Sequence, residues 1–138
     1  IALRLVGSEM CIRDSDKGVL RSGELLADAV TMLDEFGADV KLLNCSKPEA
    51  ILASWSKMKS DQGLTGAYGN GFTSIDSLKP GGTVKSMESR SDLGPAAYAE
   101  FALQWANQGA ALIGGCCEVG PAHIKALARR LTEAGYSV

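Results

Sequence analysis

Helix-like and strand-like stretches alternate along this 138-residue chain, and that rhythm predicts an α/β fold in which parallel strands are joined by crossover helices. Two further observations agree with it. The apolar runs are of strand length, and each closes on small or polar residues: Asn44, Cys45 and Ser46; Asn70; and Gly114 and Gly115 before Cys116 and Cys117. With 46% hydrophobic residues, the chain can fill one core of ordinary size.

The elements follow in order. Leu25, Leu26, Ala29, Val30, Leu33 and Phe36 recur at helical spacing, so a helix is expected over 22–37, with Ser22 as N-cap and Gly37 as stop. "ADVKLLNCS" (38–46) reads as a strand. "KPEAILASWSKMKS" (47–60) reads as a helix entered at Pro48, with Glu49 favourable in its first turn. "LTGAYGN" (64–70) is a second strand. Residues 71–93 are rich in Gly, Ser and Thr, too irregular for one element and long enough for a functional loop. A third helix over 94–109 carries Tyr98, Phe101, Ala102 and Trp105 along one face, which is core spacing. "AALIGGCC" (110–117) is a third strand, and a fourth helix begins at Pro121 and ends at Gly135. Residues 1–15 show neither period, and "LVGSEMCIRDS" resembles a translated sequencing-adapter or vector scar; they are set outside the fold as a non-native or disordered leader, together with Cys11. The folded unit is expected to be 16–138.

Composition narrows the partners. The 14 basic residues are interspersed with 16 acidic ones for a net charge of -2, with no basic stripe for a phosphate backbone, so no nucleic-acid partner is expected. No apolar run reaches the roughly 18 residues that span a bilayer, and no secretory leader is evident, so no membrane role and a cytoplasmic location are expected. In a reducing compartment Cys11, Cys45, Cys116 and Cys117 are metal-binding, catalytic or inert rather than a disulfide framework.

In parallel α/β folds the C-terminal strand ends gather the chemistry, in barrels and open sheets alike. Cys45 closes the first strand of this reading, and Cys116 and Cys117 close the last, so all three belong to one rim. Adjacent side chains of a regular strand point apart, but Gly114 and Gly115 are expected to allow close approach and unusual dihedrals that bring both sulfurs to one point. Three thiolates there would need a cation, for which zinc suits sulfur and tetrahedral geometry, with a fourth position open for substrate. Two other readings stand beside this one: small apolar cysteines filling strand ends, and a strained vicinal disulfide.

"LLNCSKPEAI" (42–51) and "IGGCCEVGPAHI" (113–124) resemble the two cysteine motifs of the homocysteine S-methyltransferase family, with "GELLADAV" (23–30) and "AYGN" (67–70) in the matching order. The resemblance runs over 16–138. It implies a (β/α)8 TIM barrel and zinc-dependent methyl transfer to homocysteine giving methionine. The implied zinc ligands are Cys45, Cys116 and Cys117, and the implied partners are homocysteine and a methyl donor. A barrel of this kind takes about 250 residues. The chain therefore corresponds to the C-terminal half, is expected to lack the N-terminal half as its partner, and is expected to be inactive or weak alone. The residues after Asn70 differ from the Pro-Asn-Ser-Gly-Glu continuation common in the family, so the donor stays open among S-methylmethionine, S-adenosylmethionine, a betaine and a folate or cobalamin relay.

Asn70 is the candidate catalytic residue, orienting substrate or offering its carbonyl to the open metal position; Asn44 is a weaker candidate on the same rim. Asparagine is also simply favoured in turns. His123, in the first turn of the last helix, suits packing or a hydrogen bond better than ligation, since a fourth protein ligand would close the site. Two rivals differ in class: a non-catalytic structural zinc-binding module, and a phosphate-binding enzyme using Gly114 and Gly115, against which the bulky adjacent thiols argue.

Overall fold

The computed structural model describes residues 7–10, 18–60, 62–74 and 87–138. Strands β1 (Gly7–Met10), β2 (Val40–Ser46), β3 (Leu64–Gly69) and β4 (Leu112–Gly115) form one sheet in the order β1-β2-β3-β4, and every neighbouring pair is parallel. Helices α1 (Leu26–Glu35), α2 (Pro48–Ser54, continued by a 3-10 turn over Trp55–Met58), α3 (Pro95–Asn107) and α4 (Pro121–Glu133) follow the successive strands. Sequential strand order means that each crossover turns the same way, so the helices stack on one face.

That face holds the core. Leu43, Ala67 and Ile113 stand in one register row beneath Ile51, Tyr98, Ala102, Trp105 and Leu127 from the helices. The next row, Asn44, Tyr68 and Gly114, turns to the opposite face by the two-residue alternation of a strand. Tyr98, Ala102 and Trp105 are fully buried, as their spacing predicted, with the Tyr98 and Trp105 rings edge to face at 5.8 Å.

Two expectations change. Helix α1 begins at Leu26 rather than at Ser22, because the preceding residues fold back on themselves: Val19 bridges Leu25, and the Leu20 N–H bonds the Glu24 carbonyl at 2.8 Å. The expected stop at Gly37 holds, with φ 70° and the Ala38 N–H closing on the Leu33 carbonyl at 3.0 Å. Gly7–Met10, inside the stretch set apart by sequence, pairs with Val40–Leu43 as the sheet's fourth strand. Lacking a strand pattern of its own, this segment takes its conformation from the exposed backbone edge of β2. Cys11, the rest of the leader and residues 75–86 of the long loop lie outside the described residues. Among the described residues no helix is long and apolar enough to cross a membrane.

Candidate metal centre

The sheet delivers Cys45 to its C-terminal rim through an irregularity. Asn44 pairs with Tyr68 and Ser46 with Gly69, so Cys45 is the extra residue of a β-bulge. Without it, Cys45 would take the next slot on the helix face. Ser46 takes that slot instead, fully buried, and Cys45 is turned out onto the rim with φ 55°, a backbone region costly for a residue with a side chain.

Cys116 and Cys117 arrive through a turn. The Cys116 N–H continues the ladder to the Gly69 carbonyl at 2.9 Å, and the Val119 N–H closes on the Cys116 carbonyl at 3.1 Å. With Glu118 at φ 64° this is a type II turn, which ordinarily wants glycine at that position. The two positive-φ residues other than glycine among those described are therefore Cys45 and Glu118, both at the cysteine cluster, where strain tends to mark function. Gly114 and Gly115 meet the expectation of close approach but not that of unusual dihedrals: neither has a positive φ, while a Cβ on Gly114 would lie 2.9 Å from the Tyr68 ring, and one on Gly115 only 2.1 Å from Val119.

The three sulfurs converge within 4.8 Å of one another, and those of Cys116 and Cys117 are 3.8 Å apart. A tetrahedral zinc with sulfur at 2.3 Å sets ligand sulfurs about 3.8 Å from each other, so the donor set fits that ion with little adjustment. All three cysteines are half-buried, and none is in a disulfide. The Cys45 thiol is pushed well above the ordinary thiol range, first by its hydrogen bond with Cys116 and then by burial and the neighbouring sulfurs. Cys117 is raised as well, by burial first and the charge of Cys116 second. Cys45 and Cys117 therefore keep their protons in the absence of a cation, and binding of a divalent ion would displace them.

Asn70 lies at the same rim, fully buried, but its side chain faces the protein main chain. Nδ2 donates to the Cys45 carbonyl at 2.8 Å, and Oδ1 accepts the Phe72 N–H at 2.9 Å. Asn44 is half-buried on the open face of the sheet. His123 is turned away from the sulfurs. Its Nδ1 accepts the Gly120 N–H at 3.2 Å, which leaves Nε2–H to donate to the Leu93 carbonyl at 3.2 Å, and its ring meets Tyr98 edge-on at 5.8 Å.

Sequence reasoning did not single out Tyr98 or Glu118 for the site. The Tyr98 hydroxyl sits beneath the rim between the β3 and β4 carbonyls, and Glu118 accepts a hydrogen bond from Ser89 of the long loop at 2.8 Å. A helical-face tyrosine reads as core, and only the need to satisfy a buried hydroxyl could have flagged it. A cavity of 320 Å³ lined by Trp55, Met58, Leu64 and Gln108 shares no residue with the cluster.

The chain's similarities bear on the same residues. A 33-residue segment is 54% identical to homocysteine S-methyltransferase 4 of Zea mays, covering 24% of this chain and 10% of the maize protein. The sequence model described as homocysteine S-methyltransferase matches residues 5–131, a span that contains the bulge, the turn and the whole sheet. The chain belongs to the homocysteine S-methyltransferase family.

Proposed function

We propose that this chain is the C-terminal half of a (β/α)8 barrel and supplies the metal centre for methyl transfer to homocysteine, with methionine as product. The observation that carries the reading is the convergence of Cys45, Cys116 and Cys117 on one point from two strand ends. Four parallel strands in sequential order with helices on one face are half of what an eight-stranded closed barrel requires. The open face of the sheet, with Asn44, Tyr68 and Gly114 in one row, becomes the inner wall of such a barrel.

Cys45, Cys116 and Cys117 are the residues that would hold zinc. A zinc ion bound there supplies the positive charge that keeps a substrate thiol deprotonated, along with one coordination position that the three cysteines leave open. The chain's own residues fix direction: the sulfurs lie at the rim, so substrate enters from the C-terminal side of the strands. In the transfer itself the homocysteine sulfur forms a bond to the methyl carbon, and the electron pair of the breaking bond leaves with the donor's heteroatom. The N-terminal half would complete the substrate pocket and cover the sheet edges, so the chain alone is expected to bind metal yet transfer methyl groups weakly or not at all.

Metal analysis of the purified 138-residue chain tests the reading, followed by cobalt substitution and titration with homocysteine. One ion per chain, lost on Cys45→Ser, Cys116→Ser or Cys117→Ser, and a visible spectrum that changes when homocysteine is added, are the expected results. A firmly held ion whose spectrum ignores the thiol would make the centre structural and sink the catalytic reading. A chain that takes up no ion would sink both.

A further inference from the structure

Two consecutive residues at the exit of β3 reach the two arms of the cysteine cluster. Asn70 bonds the Cys45 carbonyl at 2.8 Å through Nδ2, and the Gly71 N–H bonds the Cys117 carbonyl at 2.9 Å. Both carbonyls belong to residues outside the regular ladder, one in the bulge and one in the turn. The orientation of their peptides is therefore set by residues 70 and 71 rather than by strand pairing.

The brace is itself rigidly seated. The Asn70 main-chain N–H bonds the Ser46 carbonyl at 2.9 Å, and its Oδ1 holds the Phe72 N–H, so the amide is gripped on both sides of the Cys45 contact. Gly71 approaches the turn so closely that a Cβ there would lie 2.8 Å from the Glu118 Cβ, an atom that no rotamer change can move aside. The Gly71 carbonyl in turn accepts the Arg90 N–H at 2.8 Å, which ties the brace to the far stem of the long loop.

We propose that Asn70 and Gly71 are positioning residues of the metal centre, setting the spacing of the three sulfurs through the main chain of Cys45 and Cys117 without touching metal or substrate. This inference rests on reading the cysteine cluster as a metal centre. It differs from the expectation that the Asn70 side chain meets substrate or metal, because both of its polar ends are already committed to the backbone. Groups that orient metal ligands contribute about 10- to 100-fold to affinity in comparable sites.

The test is competition of a chromophoric chelator for Co²⁺ and Zn²⁺ on the full chain, with the cobalt–thiolate absorption recorded alongside. Asn70→Leu removes the grip on Cys45, and Gly71→Ala displaces the turn bearing Cys117. Each is expected to weaken metal binding about 10- to 100-fold, with the cobalt–thiolate absorption changed in position or intensity as the spacing of the three sulfurs changes. Leu131→Ala, a core truncation in α4, should lower stability without changing affinity. Asn70→Asp keeps an acceptor for Phe72 but sets a carboxylate oxygen, with its charge, where Nδ2 donated to the Cys45 carbonyl, so it decides the matter if Asn70→Leu fails to fold; it should weaken binding too. Wild-type affinity in the Asn70 and Gly71 variants would overturn the inference while leaving the metal centre standing. Equal weakening in Leu131→Ala, or tighter binding with a new absorption band in Asn70→Asp, would also overturn it. A wild-type chain that binds neither ion removes the inference together with the reading beneath it.

Discussion

The Tyr98 hydroxyl donates to the Gly114 carbonyl at 2.7 Å and lies 3.3 Å from the Gly69 carbonyl, so a single side chain of α3 spans the last residues of β3 and β4. The strand residues it touches are followed directly by Asn70 on one side and by Gly115 and Cys116 on the other. Burial pushes the phenol above its ordinary range, which keeps it a neutral donor. Tyr98 thus connects the packed helix layer to the rim where the cysteines stand.

Tyr98→Phe keeps the ring and deletes that link. The expected loss is about 1–2 kcal/mol in urea unfolding, the usual cost of stranding a buried acceptor. Metal affinity should fall only slightly, since Cys116 retains its own hydrogen bond to the Gly69 carbonyl. An unchanged urea midpoint would show that the hydroxyl bond contributes nothing net.

Gly114 and Gly115 are not interchangeable despite being adjacent. At Gly114 a methyl group meets the Tyr68 ring, the far end of a side chain that can swing into the open face. At Gly115 it meets Val119 at Cβ as well as Cγ1, at 2.5 and 2.1 Å, and Val119 closes the turn that holds Cys117. Gly115→Ala is therefore expected to cost about 1–3 kcal/mol by overpacking and to weaken metal binding, whereas Gly114→Ala should cost less on both measures. Thermal unfolding with chelator titration of the two variants provides the comparison, and a larger effect at Gly114 would contradict the packing argument.

The layout of this site was legible in the sequence to the extent that it depends on periodicity and strand ends. Apolar spacing located α1 and α3, the entries at Pro48 and Pro121 located α2 and α4, and the run closed by Asn44, Cys45 and Ser46 located the rim. What the sequence hid has a common physical cause. A bulge at Cys45 leaves no compositional mark, because the bulge residue has a side chain where glycine would have announced the positive φ. Glu118 conceals its turn in the same way. Asn70 reads as a turn residue with a free amide, and only the three-dimensional course of β2 shows that the Cys45 carbonyl occupies it. Pairing of Gly7–Met10 with β2 is likewise a long-range event that no local pattern signals.

The cysteine cluster gives the metal-free chain a pH response of definite sign. Cys45 and Cys117 both hold their protons more tightly when folded than the ordinary thiol value of 9.0, so the unfolded chain ionises first as pH rises. Stability of the metal-free chain should be level below that value and decline above it. Saturating zinc should remove the decline, because metal binding favours the deprotonated sulfurs. Urea midpoints between pH 7 and 10 with and without zinc test this, and parallel curves would count against a shared metal on these thiols.

At the opposite end of β2, the fully buried Lys41 is ion-paired with Asp34 of α1 and donates to Ser60 Oγ at 2.9 Å and to the Gln62 carbonyl at 2.7 Å. The hydrogen bond from Lys41, then that from Ser60, holds the Asp34 carboxyl below its usual 3.8. A carboxylate lowered on folding stabilises the protein above its unfolded value, and that contribution is lost as pH falls through the folded one. Asp34→Asn should therefore lower stability at neutral pH, flatten the acid limb below about pH 4, and leave the Lys41 charge buried without its counter-ion. Lys41→Met removes the fully buried charge and leaves the Asp34 carboxylate, which is partly exposed and still accepts from Ser60 at 2.6 Å, so it should cost less than Asp34→Asn, which strands the ammonium. Urea unfolding of the three proteins at pH 7 and pH 3 separates these outcomes. If Lys41→Met proved the more damaging change, the ammonium's bonds to Ser60 and Gln62, rather than its pairing with Asp34, would be what joins α1 to the foot of the sheet.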